Sequence, residues 1–445
     1  MPDVEESLAT LSRSSEPAGS DEAVAYPGPR TLLDPPPELA EYRAECPVRR
    51  MRLPSGELGW LVTSYDLGRE VLGYRGTRID FGPLVPGVNE YAERVARFVD
   101  EAGPAGGGES SSAPEEGEIL GVLALNGEEH LARRRILAGR FSPQAVATLR
   151  EPLEQIVDDL LDDLGPGSAD LVARLAVPYA RKALCLLLGI DDDERLTNGL
   201  YEGYHPNDPD DGEAFIRSHL AQQRAIAEAF PEAVRRARDE PNDGLLSHLW
   251  RLGSLSEREI QSIADEVLAG QHTTVGSIGL SIAILLHGHR RWWQRMVADP
   301  EGAVTPIVEE LIRHVTVFQH GANFRRAAED LQVGDVCVRA GEPITVSLSA
   351  VNRDPRLVER PDEFDPDRGA GPHVSFGFGV HQCLGQHFVR VELQTLLRRL
   401  ATRFPDLRLA VPFEELPMVD SEVSYMHGIE ALPVTWETGS DGGSR

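Results

Sequence analysis

The stretch His373-Val-Ser-Phe-Gly-Phe-Gly-Val-His-Gln-Cys-Leu-Gly385 decides how this chain is read. One cysteine, Cys383, sits between a glycine-bracketed loop and a helix that the apolar spacing predicts from Gln386 to Leu400. A thiolate is the metal-ligating form of that side chain. Ligation needs a close backbone approach, which Gly377, Gly379 and Gly385 supply by lacking a Cβ. It also needs amide donors aimed at the sulfur, and the first turn of the following helix offers its unpaired N–H groups. A zinc site on His381 and Cys383 lacks a nearby Cys or His pair to complete four ligands. A lone cysteine usually fills apolar space, so the weight falls on the whole pattern around it.

Three further stretches carry chemistry. Glu310-Leu-Ile-Arg313 sets an acid and an arginine on one helical face, at i and i+3. His130-Leu-Ala-Arg-Arg134 puts His130 and Arg134 on one face at i and i+4, with Arg133 and Arg135 read as basic surface. In Ala269-Gly-Gln-His-Thr-Thr274, Gly270 weakens a helix and lets another group approach, with the Thr273 hydroxyl beside it. That helix opens on a Ser256–Glu259 capping box and is expected to run to about His287. At about 1.5 Å per residue it is close to 50 Å long, enough to cross a domain.

Together these stretches resemble the cytochromes P-450. The resemblance implies a mainly α fold, helical with small β-sheets, and one haem b (iron protoporphyrin IX) between the long central helix and the cysteine loop. It makes Cys383 the axial iron ligand, with Gly385 beside it and Phe376 covering the sulfur side. It assigns His130, Arg134, Arg325 and His381 to the haem propionates, which need cationic partners once desolvated. Thiolate ligation favours O–O cleavage. The resemblance makes Gly270, His272 and Thr273 the catalytic segment, in which the glycine allows close approach and the threonine hydroxyl bonds the iron-bound dioxygen and relays protons to it. The family's Asp or Glu just before that threonine is absent: His272 stands there, a residue type that changes charge between about pH 5 and 8. Glu310 and Arg313 become a buried structural ion pair. A third partner is expected from an arginine, but Glu363 occupies the usual position, leaving Arg353 and Arg368 as candidates.

The implied reaction is insertion of one oxygen atom from dioxygen into an organic small molecule, by hydroxylation or epoxidation, in secondary-metabolite biosynthesis. The substrate pocket maps to Ala269, Phe318, Gln319, His320, Asn323, Tyr425 and Met426, a mix that suits a substrate with hydrogen-bonding groups. His272 keeps open oxidative coupling, ring formation or a peroxide-driven reaction on the same fold. A haem sensor without turnover is the other alternative, and Gly270 with Thr273 argues against it.

Size and composition bound the rest. The motifs run from His130 to Cys383 and must meet at one cofactor, so 27–436 is expected to be a single domain between tails at 1–26 and 437–445, rich in Ser, Gly, Pro and acids. Residues 103–118 read as a low-complexity surface loop. Four cysteines give no disulfide framework and suit a reducing cytoplasm. The acidic, polar start is neither a signal peptide nor a membrane anchor. A net charge of −28, from 44 Lys plus Arg against 72 Asp plus Glu, would repel a nucleic acid. No glycine-rich nucleotide loop follows a strand, so electrons are expected from a separate protein; ferredoxin and ferredoxin reductase are the expected donors.

Overall fold

The computed structural model describes residues 23–25, 27, 31, 34–53, 57–79, 122, 125–196, 225–226, 228–318, 325–369, 371–419 and 426–437. The tail at 438–445, the 103–118 loop and most of the expected amino-terminal tail lie outside them. Val24, expected in that tail, pairs beside Met51: its N–H donates to the Arg50 carbonyl (2.9 Å) and its carbonyl accepts from the Arg52 N–H (3.0 Å).

Helices dominate, and the one after Cys383 is a central strut. It runs Gln386–Arg403, a turn beyond the expected end, and buries Leu393, Leu396, Leu397, Leu400 and Ala401 at three- and four-residue spacing. It packs against the Arg150–Asp162 and Pro300–Val315 helices. The Pro300–Val315 helix starts six residues before Pro306. Asp299 accepts from the Gly302 N–H and Pro300 occupies the first turn, where proline fits, so Pro306 lies inside the helix.

The long helix is one rod in two pieces. Ser256 and Glu259 form both halves of the capping box that opens Glu257–Ala269. At Gly270 (φ −61, ψ −15) the N–H bonds back three residues to Val267, and Gln271–His287 continues. The span Glu257–His287 is long and apolar enough to cross a membrane, but 72% of its most apolar window is buried in the protein. That is a core helix.

Small sheets flank the helices. Strands β1 (Val48–Arg52), β2 (Leu58–Val62), β8 (Pro343–Val346), β5 (Arg325–Ala327) and β3 (Thr77–Ile79) form one sheet in the order β1-β2-β8-β5-β3. The β2–β8 pair is parallel, with Trp60 opposite Ile344, and the other neighbours are antiparallel. Leu331–Val338 is a hairpin of β6 (Leu331–Val333) and β7 (Val336–Val338). Gly334, at φ +57, makes the turn. A third sheet joins β4 (Ser168–Asp170), β10 (Pro433–Thr435) and β9 (Arg408–Leu409).

Glu392 is buried, neither carboxylate oxygen has a hydrogen-bond partner among the described residues, and burial raises its pKa to about 8. Because the folded value lies above the ordinary one, the unfolded chain gives up this proton first as pH rises. Stability is therefore full below about pH 4 and falls through about pH 8. Glu392→Gln should flatten that fall, raising stability at pH 8 by a few kcal/mol (about 1.4 per pKa unit) with no gain at pH 4. Urea melts at both pH values check this, and parallel curves for the two proteins would contradict it.

Candidate active site around Cys383

The loop folds as its glycines require. Gly377 and Gly379 sit at φ +70 and +77, in the left-handed region. A Cβ on Gly379 would lie 2.8 Å from Gly73 Cα and 2.9 Å from the Leu72 carbonyl oxygen, at the end of the Tyr65–Gly73 helix. Gly385 differs from expectation. Its φ is −77 and a Cβ there would stand 3.9 Å from the Cys383 sulfur, an ordinary contact, so its use is the amide rather than missing bulk. Phe376 accepts the Cys383 N–H (2.8 Å), closing the loop onto the cysteine.

Cys383 is surrounded by protein yet keeps accessible surface, so its sulfur faces an interior space. Burial pushes the thiol up. The amides of Gly385 and Gln386 and the guanidinium groups of Arg134 and Arg390 pull the other way, without overcoming burial. Donors are thus aimed at a thiolate that still needs a cation to hold it charged.

The expected propionate partners converge. His130 and Arg134 lie on the Gly127–Ala138 helix, Arg325 on β5, and His381 in the cysteine loop. The His130 and His381 rings stack at 3.9 Å, inclined by 19°. Burial, then neighbouring positive charge, lowers His130 to about 4 and His381 to about 3. Arg325 is 2% exposed and burial lowers it to about 10. It reaches Thr77 Oγ1 at 3.3 Å, while Nε and Nη2, like His130 Nδ1, have no partner among the described residues. Buried N–H groups without acceptors are costly. A dianionic ligand at this place would satisfy them, and a metal at the sulfur would supply the missing cation, so the residues fit a haem with two propionates.

At the Gly270 break the Thr273 hydroxyl donates to the Gly270 carbonyl (3.1 Å), which leaves its oxygen free to accept. Ser277 donates to the Thr273 carbonyl (2.7 Å), and Gln271 ties the segment to the Leu196 carbonyl (3.0 Å). His272 is buried (5% exposed), which removes the possibility that it points to solvent. Ala269 keeps exposed surface.

The ion pair is buried as expected. Arg313 donates to Glu310 through Nε and Nη2, both at 2.8 Å, and to the carbonyls of Asn352, Pro361 and Glu363. The third partner is Arg368, 3.0 Å from Glu310 Oε1. Arg353 turns instead to Asp362 and the His314 carbonyl. Glu363 therefore contributes its backbone, where a side chain was expected.

Of the pocket residues, Phe318 and Met426 face each other across an antiparallel bridge. Gln319, His320, Asn323 and Tyr425 lie outside the described residues. Sequence reasoning missed a brace behind the loop. Arg390 donates to both Glu309 oxygens (2.7 and 3.2 Å), approaches His373 Nε2 (3.3 Å) and covers the Phe376 ring at 4.8 Å. The available signal was Glu309 itself, a second acid beside the Glu310 already singled out.

These features define a haem-thiolate protein, and the comparisons agree. The Cytochrome P450 family model matches residues 304–423. The chain is 34% identical over 420 residues to nocardicin C N-oxygenase of Nocardia uniformis subsp. tsuyamanensis, covering 93% of this chain and 98% of that one. It is 32% identical to pentalenic acid synthase of Streptomyces avermitilis, covering 95% and 100%. The crystal structure of cytochrome P450 MoxA from Nonomuraea recticatena superposes with a TM-score of 0.78 at 30% identity, covering 94% and 99%. The chain belongs to the cytochrome P450 family, and it is a monooxygenase with protoporphyrin IX haem as its cofactor.

Proposed function

We propose that Cys383 ligates the haem iron, that His130, Arg134, Arg325 and His381 hold the propionates, and that Thr273 serves oxygen activation on a small organic substrate of secondary metabolism. The observation that carries this is the convergence of buried nitrogens on Arg325 and His130 without partners among the described residues, beside an interior sulfur that receives two helix amides. When bound, the haem supplies the oxidising chemistry. The chain's own residues aim amides and guanidinium groups at the sulfur, anchor the propionates and position a hydroxyl beside the reacting space. A substrate screen by Soret shift, followed by turnover under isotopically labelled dioxygen, tests the reaction. One labelled oxygen atom in the product is expected, and a product without label would overturn oxygen insertion in favour of coupling.

His272 supports a modified proton supply, because it is buried next to Thr273, at the position where the resembled motif has an acid. His272→Ala should keep haem content and substrate affinity within a few-fold while product per electron falls and peroxide rises. His272→Asp should recover part of the coupling. Unchanged coupling in the alanine variant would make His272 a bystander.

Electrons are proposed to come from an acidic iron–sulfur ferredoxin, served by its reductase, in the cytoplasm. Arg133 pairs with Glu259 and Arg140 donates to the Asp243 carbonyl, so both are engaged within the protein. Arg135, on the same helix, stays exposed and supports a docking role. Reduction should slow as salt rises and slow several-fold in Arg135→Glu. A rate indifferent to both would argue for another partner or face.

A further inference from the structure

The first half of the central rod carries an acid that the proposed mechanism does not use. Ile260, Ile263, Ala264 and Leu268 bury one face of Glu257–Ala269 in the core. On the opposite face lie Asp265, Ala269 and Thr273, at i, i+4 and i+8. Asp265 and Ala269 keep exposed surface far inside a helix that crosses the protein, and Thr273 is half-buried. Asp265 is nonetheless crowded by protein, as Cys383 is, so this face borders an interior space.

Burial, with Glu266 as the neighbouring charge, raises the Asp265 carboxyl to about 7. Among the described residues no arginine, lysine or histidine is bonded to it, so nothing in place there holds it charged. A carboxyl in such a setting gains most from a ligand that brings its own positive charge. We propose that Asp265 is a specificity residue that anchors a positively charged nitrogen on the substrate. It holds that group about 12 Å along the helix from Thr273, two turns away at about 1.5 Å per residue. The substrate class is then an elongated organic cation, with its charged end at Asp265 and its oxidised carbon near Thr273. This rests on the assignment of Thr273 to the oxygen-activating side.

The test uses haem-loaded protein and two probes. Decyltrimethylammonium has no lone pair to give to iron, so a Soret shift reports occupancy of the pocket rather than ligation. Its neutral analogue replaces the nitrogen with carbon. Asp265→Asn keeps shape and removes a carboxyl that is costly to bury, so the variant should fold. It should weaken the cation by about tenfold or more and change the neutral probe by less than about twofold, and Asp265→Glu should recover part of the loss. Equal weakening of both probes, or undiminished affinity for the cation, overturns the inference. So does increased peroxide release with both affinities unchanged, which would place Asp265 in proton delivery. An abnormal carbonyl spectrum in the native protein would instead indict the haem-site assignment. A normal spectrum with no Soret shift from either probe would remove Asp265 from that space.

Discussion

Cys383→Ser should abolish oxygenation, lowering product formation by about a thousandfold or more, while the chain still folds. The serine hydroxyl is a poorer electron donor than a thiolate, and donation from sulfur is what favours O–O cleavage. A thousandfold loss corresponds to about 4 kcal/mol of barrier, at about 1.4 kcal/mol per tenfold. The loop should survive the change. It is held by the Cys383 N–H on the Phe376 carbonyl, by Gly377 and Gly379 at positive φ, and by Arg390 behind it, none of which uses the sulfur. Matching circular dichroism with lost turnover is the expected pair of results. Activity within about tenfold of the native chain would show that another residue carries the chemistry.

Glu310→Ala should act on the whole fold. It removes both oxygens that Arg313 grips and the acceptor shared by Arg368 and the Asp365 N–H. Arg313, 2% exposed, would keep three carbonyl acceptors and no counter-charge. Breaking one side of a buried pair costs about 3–5 kcal/mol, against about 5–15 kcal/mol for a whole protein. Little soluble, haem-loaded protein should accumulate, and any that does should melt about 3–5 °C lower. Arg368→Ala should cost less, because that guanidinium lies nearer the surface. A melting temperature within about two degrees of the native chain for Glu310→Ala would remove the pair from the stability account.

The cysteine loop was legible because its demands are local. Glycines at positive φ and amides at a helix start are set by neighbours in sequence, so the order of residues announces them. The cation cluster was legible through resemblance, since His130, Arg325 and His381 come from a helix, a strand and a loop that only the fold joins. Arg368 could not be chosen over Arg353 beforehand, because each lies far along the chain from Glu310 and the choice depends on how the 353–369 segment turns. Pro306 offers a second place where that helix could begin, because proline looks the same in sequence at a first turn and in an interior; Asp299 and Pro300 hold the true start. Asp265 lay in plain sight at two turns from Thr273. Its interest comes from crowding and the lack of a bonded cation among the described residues, which spacing does not report. Glu392 is the hardest case, since an acid amid apolar helix positions reads as surface until the packing buries it.

The most direct measurement is the absorption spectrum of the reduced, carbon monoxide-treated native protein. Thiolate donation from Cys383 predicts a strongly red-shifted Soret band that holds at neutral pH and disappears in Cys383→Ser. A band at the unshifted position of histidine-ligated haem, or a red-shifted band that persists in Cys383→Ser, would contradict the assignment on which the account rests.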